Sequence, residues 1–384
     1  MKITMIGTLP PLKGISPYCL ELVRALSKHV EIEFIGFKSL YPEFLYPGGT
    51  KVKDEGYNLP HLKNIEIRNM LTWYNPFSWI FAGLTLKGKV VHAQWWAYPL
   101  ALMYLVILSI AKLRKRKVII TVHNVLPHEK SRLKNFLNRV VLFFGDYFIV
   151  HTESNREDLS RLYGIPRDRI YVIPHGILEV YPVKWVPKIE ARKYLGIPED
   201  KRVILHFGNI RNYKGLDVLI ESLKLVKEEV NDVVLLIAGK PWESWGKYER
   251  LIEKNGVSDI VIKKLDFIPP SEVEFYFAAS DVVVLPYKYF DSQSGVAALA
   301  LTFKKPLIVT NVGGLPDMVR DEKVIAKAGD AKDLAMKIVH VLKDEKILEK
   351  LSKDAEELAK NYSWDKIAER TVEVYKEVYK GEDK

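Results

Sequence analysis

Cysteine is almost missing from this chain. Cys19 is the single one among 384 residues, which excludes an internal disulfide framework and leaves no Cys/His cluster at zinc-ligand spacing. HExxH is absent too, so a protein-held metal is not expected. No GxGxxG follows a strand-like run, which argues against a dinucleotide-binding half. The one stretch with Walker spacing, residues 83–90, ends in Val90 and so lacks the hydroxyl that would meet magnesium. The apolar stretch 95–111 holds 17 residues without a charge, short of the ~20 that a membrane span needs. No cleavable leader is read at the start, since MKITMIG has the pattern of a strand, and a cytoplasmic location is expected.

Charge and alternation are what the chain does have. The formal net charge is +10, from 58 Lys and Arg against 48 Asp and Glu, which favours anionic partners. At 384 residues the chain is twice the usual domain of roughly 100 to 200 residues, so two domains are expected. Short β-branched runs at 2–7, 31–36, 89–93, 117–123, 147–151 and 170–174 alternate with amphipathic helical patterns. A second series follows at 202–208, 233–239, 260–264, 281–286, 306–310 and 323–326. Strands separated by helical patterns of this length imply parallel sheets with crossover helices. The fold class is therefore α/β, with two doubly wound Rossmann-like domains facing across a cleft. The boundary is expected inside 175–201, where Pro182, Pro187 and Pro198 interrupt the periodicity, giving domains of 1–180 and 181–361. The charged helical stretch 362–380 belongs to neither alternation.

Ligands of open parallel sheets bind at the carboxyl ends of the strands. His92, His123, His151 and His206, four of the nine histidines, sit at predicted strand ends. The stretch HFGNIRNYKGLDVLIESL places a turn at Gly208 and two cations, Arg211 and Lys214, three residues apart in front of a helix. A fork and a mobile point charge at a strand edge suit a diphosphate; a solvated basic loop is the alternative. In FDSQSGVAALALTF, five small or polar residues, Asp291, Ser292, Gln293, Ser294 and Gly295, precede an apolar helix predicted over 295–303. The backbone amides from Gln293 to Val296 would be left without helical partners and would favour a phosphate. Asp291 would repel a bare phosphate but accept hydrogen bonds from sugar hydroxyls, which points to a sugar joined to a phosphate. N-capping by Ser292 or Ser294, worth about 1 kcal/mol, accounts for one polar residue, not five. Gly14 lets the backbone pass close to a ligand, and a plain connecting loop fits it equally. Stretch 95–111 reads first as a buried helix. Its second reading is a helix that also seats the chain on a bilayer, with the basic run 112–117 facing anionic headgroups.

These stretches, together with PPLKGIS, TVHN, LLIAGK and PLIVTNVGGLPDMV, resemble the family 4 retaining glycosyltransferases of the GT-B fold over essentially the whole chain. The resemblance implies a nucleotide-sugar donor, UDP- or GDP-linked, on the second domain, an acceptor site mostly on the first, and a last helix that crosses back to the first. It implies that Gly208, Arg211, Lys214 and the residues from Ser292 to Val296 hold the donor, that Gly14 belongs to the glycine loop near the diphosphate, and that His123 reaches the transferred sugar. One departure stands out: where the family has two glutamates with seven residues between them, this chain has Asp291 and Leu299, so the usual ribose contact is missing.

The expected chemistry is metal-independent hexosyl transfer with no cofactor. Asp291 and His123 would position the sugar, and Arg211 and Lys214 would stabilise the departing diphosphate. The expected partners are the donor, a glycan, lipid-linked or polysaccharide acceptor, and the inner membrane face. A GT-B epimerase, a phosphorylase and a non-catalytic binding subunit share these features. Nucleic acid is not expected, since no recognition module accompanies the charge.

Overall fold

A computed structural model describes residues 1–12, 14–40, 64–125, 132–177, 185–290 and 293–380. They form two compact units: Met1–Gly176 with Ser363–Lys384, and Ile177–Tyr362. The first unit runs β1 (Lys2–Ile6), α1 (Ser16–Leu26), β2 (Glu31–Ser39), β3 (Ile65–Thr72), α2 (Pro76–Leu84), β4 (Val90–Trp95), α3 (Ala101–Leu113), β5 (Lys117–Val122), α4 (Arg132–Leu142), β6 (Tyr147–Val150), α5 (Glu153–Tyr163) and β7 (Ile170–Val172). The second runs α6 (Lys188–Leu195), β8 (Arg202–Phe207), α7 (Leu216–Glu229), β9 (Val233–Ala238), α8 (Gly246–Lys254), β10 (Val261–Lys264), α9 (Val273–Ala279), β11 (Val282–Leu285), α10 (Gly295–Thr302), β12 (Leu307–Thr310), β13 (Ile325–Ala326), α11 (Ala331–Leu342) and α12 (Glu345–Asn361). The last helix, α13 (Trp364–Lys380), returns to the first unit and packs on α1 and β4.

The first sheet has strand order β3-β2-β1-β4-β5-β6-β7 and the second β10-β9-β8-β11-β12-β13, with parallel pairing throughout. Helices lie on both faces of each sheet, as a parallel sheet requires. In β4 the alternation sorts the side chains. Val91, Ala93 and Trp95 join the core under α2, α3 and α4, while His92 and Gln94 point to the opposite side, where Tyr375 of α13 meets His92. Local signals set the helix limits. The Thr152 hydroxyl caps α5 by accepting from Asn155 N–H at 3.0 Å, and the Asp330 side chain caps α11.

The structure differs from the sequence expectations in several places. β3 is an edge strand whose apolar residues alternate with Glu66, Arg68 and Asn69, so no apolar run announces it. β4 continues to Trp95, and His92 and His206 therefore lie inside strands, not at their ends. The stretch 95–111 is accordingly a strand end, a turn and most of α3, not one helix. Within 175–201, Pro187 stands just ahead of α6, a place where a fixed φ suits helix initiation. Residues 178–184, Asp291 and Ser292 lie outside the described residues.

One buried ion ties the edge of the first sheet together. Glu33 on β2 is fully buried. Its carboxylate accepts from the Thr4 hydroxyl (2.6 Å) and Lys87 N–H (2.8 Å) and pairs with Arg68 of β3. Removing one member of a buried pair strands the other charge. Glu33→Ala is expected to lower the unfolding free energy by about 3 kcal/mol, measured by urea denaturation; a loss below about 1 kcal/mol would mean that water readily replaces the carboxylate.

Candidate functional site

In the second sheet the strand order reverses between β8 and β11, the position at which open parallel sheets bind ligands. β8 ends at Phe207, and Gly208 follows with φ +93°, a left-handed conformation open to glycine. A Cβ at Gly208 would lie 3.0 Å from Lys214 Nζ and 3.2 Å from Val296 Cγ2. The end of β8, the turn before α7 and the first turn of α10 therefore meet at one point. That turn is held from the segment after β11. Lys288 N–H donates to Tyr213 O at 2.8 Å, and Lys288 Nζ donates to Asn212 Oδ1 at 2.6 Å and to Asp217 at 2.9 Å. Arg211 lies with its guanidinium 3.7 Å from the centre of the Trp242 ring, a contact that steadies the group through its face and leaves the N–H edge for an anion.

Lys214 is 7% exposed. Among the described residues no carboxylate pairs with it or with Arg211, although burying a charge without a counter-charge is costly. Burial, aided by the Arg211 charge, pushes the ammonium down from 10.5 to about 8. Burial and the Lys214 charge likewise push His206 down to about 3, so this histidine stays neutral behind the lysine. At α10 the Ser294 hydroxyl accepts from Ala297 N–H (3.4 Å) and shares a hydrogen bond with Tyr287 OH (3.0 Å), so the capping expected of a serine falls to Ser294. Gly295 and Val296 occupy the first turn, where amides have no acceptor within the helix, and Gln293 and Ser294 are buried beside them.

The first sheet reverses between β1 and β4. There a Cβ on Gly14 would lie 3.3 Å from Trp96 Nε1 and 3.8 Å from Thr8 Oγ1. Thr8 is fully buried, and neither its hydroxyl nor the Trp96 indole N–H has a hydrogen-bond partner among the described residues. Two unsatisfied polar groups at a strand edge are suited to an oxygen-rich ligand. Neither residue was singled out from sequence; Thr8 directly follows the run predicted over 2–7, whereas Trp96 stands three positions beyond the run predicted over 89–93 and had no such signal.

His123 belongs to a buried chain on the α13 side of the same sheet. Its Nε2 lies 2.9 Å from the Gln94 amide and its Nδ1 3.2 Å from His151 Nε2. His151 Nδ1 faces Ile173 O at 3.0 Å, the Gln94 amide also meets His92 Nε2 at 3.2 Å, and His92 Nδ1 meets Tyr375 OH at 2.6 Å. Burial holds His92 and His151 at about 3 and His123 well below its usual value, so all three are neutral. The Ile173 carbonyl only accepts, which places the proton of His151 on Nδ1 and makes its Nε2 an acceptor. His123 must then donate from Nδ1 and accept at Nε2. The Gln94 amide, placed with its oxygen toward His123 and its nitrogen toward His92, must therefore be turned over so that its NH2 faces His123 and its oxygen faces His92. His92 donates from Nε2, which also lies 2.7 Å from Thr121 Oγ1, and accepts from Tyr375. Every donor in the chain points the same way, and both ring nitrogens of His123 are engaged within the unit.

The profile described as Glycosyltransferase Family 4 matches residues 12–178, and that described as Glycosyl transferases group 1 matches 187–358. The chain belongs to this glycosyltransferase family. Among curated relatives, the D-inositol 3-phosphate glycosyltransferase of Xylanimonas cellulosilytica is 31% identical over 250 residues, covering 62% of this chain and 59% of its own length. The match thus spans less than two thirds of that relative. Among solved structures, sucrose-phosphate synthase from Thermosynechococcus elongatus superposes with a TM-score of 0.73 at 19% identity, covering 99% of both chains. Anabaena HepE, solved with UDP and glucose, superposes at 0.74 with 16% identity over 98% of this chain and all of its own. The two Rossmann-like α/β domains are those of the GT-B fold.

For a member of this family the second acidic position is the conspicuous one. Leu299 is buried in the apolar core of the second unit, so no carboxylate is available there. Of the expected donor residues, Gly208, Lys214 and Val296 converge, Arg211 adjoins them, and Gln293, Ser294 and Gly295 stand at the same helix start. Gly14 and His123 belong to the other unit, and Asp291 and Ser292 fall outside the described residues. Among the described residues no three His, Cys, Asp or Glu side chains group as metal ligands. The histidine chain makes a spectroscopic prediction. Long-range 1H–15N spectra at neutral pH should show His123 and His151 protonated on Nδ1 and His92 on Nε2. An Nε2–H tautomer at His151 would refute the derivation.

Proposed function

We propose that the protein transfers a hexose from a UDP-sugar to a hydroxyl-bearing acceptor, with retention of anomeric configuration. The observation that carries this is the pair of cations, Lys214 buried and Arg211 stacked on Trp242, gathered at a sheet switch point without a carboxylate among the described residues. Family membership supports it, and so does HepE, a protein of the same fold solved with UDP and glucose. The donor diphosphate would pair with Lys214 and Arg211 and receive the first-turn amides of α10. As the bond from the anomeric carbon to the diphosphate oxygen breaks, negative charge grows on that oxygen where these groups already point. The acceptor hydroxyl forms its bond to the anomeric carbon from the same face, and its proton passes to the departing phosphate oxygen. No protein nucleophile and no metal is required by this scheme. Asp291 would accept hydrogen bonds from the sugar. Thr8 and Trp96 would hold an acceptor oxygen, in a glycan, lipid-linked or polysaccharide acceptor. His123 would shape the sugar's surroundings by packing, since its ring nitrogens are occupied.

Two measurements test this reading. Arg211→Ala should cut turnover of a UDP-sugar by about a hundredfold or more with the thermal transition unchanged, and near-normal turnover would remove Arg211 from the mechanism. Lys214 gives a pH signature. Its ammonium is depressed to about 8 in the free protein, and a bound diphosphate favours the protonated form. UDP should therefore bind best below pH 8 and progressively more weakly above it, with proton uptake near pH 8 in calorimetry. Lys214→Arg, which stays charged, should lose that pH dependence. A wild-type affinity flat from pH 7 to 9 would contradict the assignment.

A further inference from the structure

We propose that the outer side of α2, α3 and α4 docks onto an anionic lipid bilayer. The proposal is independent of the donor chemistry above. α2, with the sequence PFSWIFAGL, is apolar all round. Trp79 and Ala82 pack inward, while Phe77, Ile80, Phe81 and Leu84, spaced i, i+3, i+4 and i+7, form a stripe that faces out, with Phe77 81% exposed. Packing within the fold explains only the first face, because a surface helix ordinarily turns polar residues to water. The stripe continues at the end of α3. Leu113 is 83% exposed, and Arg114 Nη1 donates to Gly83 O (3.1 Å) and Leu86 O (3.2 Å), which fixes this end of α3 beside the end of α2. On the other flank of α3, α4 exposes Leu133 and Phe136, and Phe143 is exposed just past its end. Apolar surface gathered in this way marks an interaction site, unlike single exposed leucines.

Charge selects the occupant. Between residues 73 and 145 there are 11 Lys and Arg and a single acidic residue, Glu129; outside that stretch 47 Lys and Arg face 47 Asp and Glu. The whole net charge of +10 therefore lies in the segment that carries the apolar stripe. Aromatic and aliphatic side chains that enter the boundary between headgroups and acyl chains, framed by cations that pair with lipid phosphates, are the two components of interfacial binding. Among the described residues no helix is long and apolar enough to cross a membrane, so the contact is one of lying on the surface. A nucleic acid would use the cations but leave the phenylalanine and leucine stripe unmatched.

The test is co-sedimentation of the full-length protein with vesicles of phosphatidylcholine, with and without phosphatidylglycerol. The protein should sediment with the anionic vesicles, be released by added salt, and stay in solution with the neutral ones. Phe77→Ser combined with Phe81→Ser should reduce partitioning by about tenfold or more, with circular dichroism and thermal transition unchanged because both side chains are exposed. Lys115→Glu should weaken binding only to the anionic vesicles. Undiminished sedimentation of the double variant would overturn the proposal, as would equal binding to neutral vesicles. A dimer seen by light scattering and abolished by the double variant would overturn it too, by assigning the surface to a second copy of the chain.

Discussion

An ammonium group removed from water, with no carboxylate among the described residues to meet it, is the constraint around which the binding edge of the second unit is built. Nζ of Lys214 can sit over Gly208 because that residue lacks a side chain, and the first turn of α10 can come as close because Val296 packs against the same backbone. The neighbouring acids are committed elsewhere: Asp217 is held by Lys288. A conventional surface lysine would be hydrated and indifferent to its surroundings. This one is desolvated in advance, so an anion arriving there meets a charge that has already shed its water.

The first unit solves a different problem with the same architecture. A parallel sheet is covered on both sides, and here one side is apolar while the other buries polar groups. The period-two alternation of β4 and β5 sends His92, Gln94, Thr121 and His123 to the same side. Buried polar groups are tolerable only when each finds a partner, and the one-way order of donors from Tyr375 to the carbonyl of Ile173 meets that demand without any ionised histidine. Thr8 and Trp96 are among the exceptions of the described residues, and these two stand together at the reversal of strand order.

The strands of both sheets were legible because buried parallel strands are nearly continuous β-branched runs, and Gly208, Arg211 and Lys214 were legible because one short stretch contains them all. The approach of Val296 to Gly208 was not, since it depends on β8 and β11 being neighbours in the sheet, where Ile204 pairs with Val282, 78 residues further along the chain, and no local pattern records that pairing. The histidine network was even less accessible. It needs the register of β4 on β5, a side-chain amide orientation, and a tyrosine 283 residues along the chain from His92. β3 escaped notice because an edge strand with charges on alternate positions resembles a loop, and Leu299 shows that a family position can be given over to core packing.

The return of α13 to the first unit has a bearing on biosynthesis. Trp364 lies against Gly176 and Tyr18, and Tyr375 supplies the terminal donor to His92. These residues leave a ribosome after every element of the second unit. The second unit can therefore close while the polar side of the first sheet is still uncovered, and completion of the earlier-made half waits on α13.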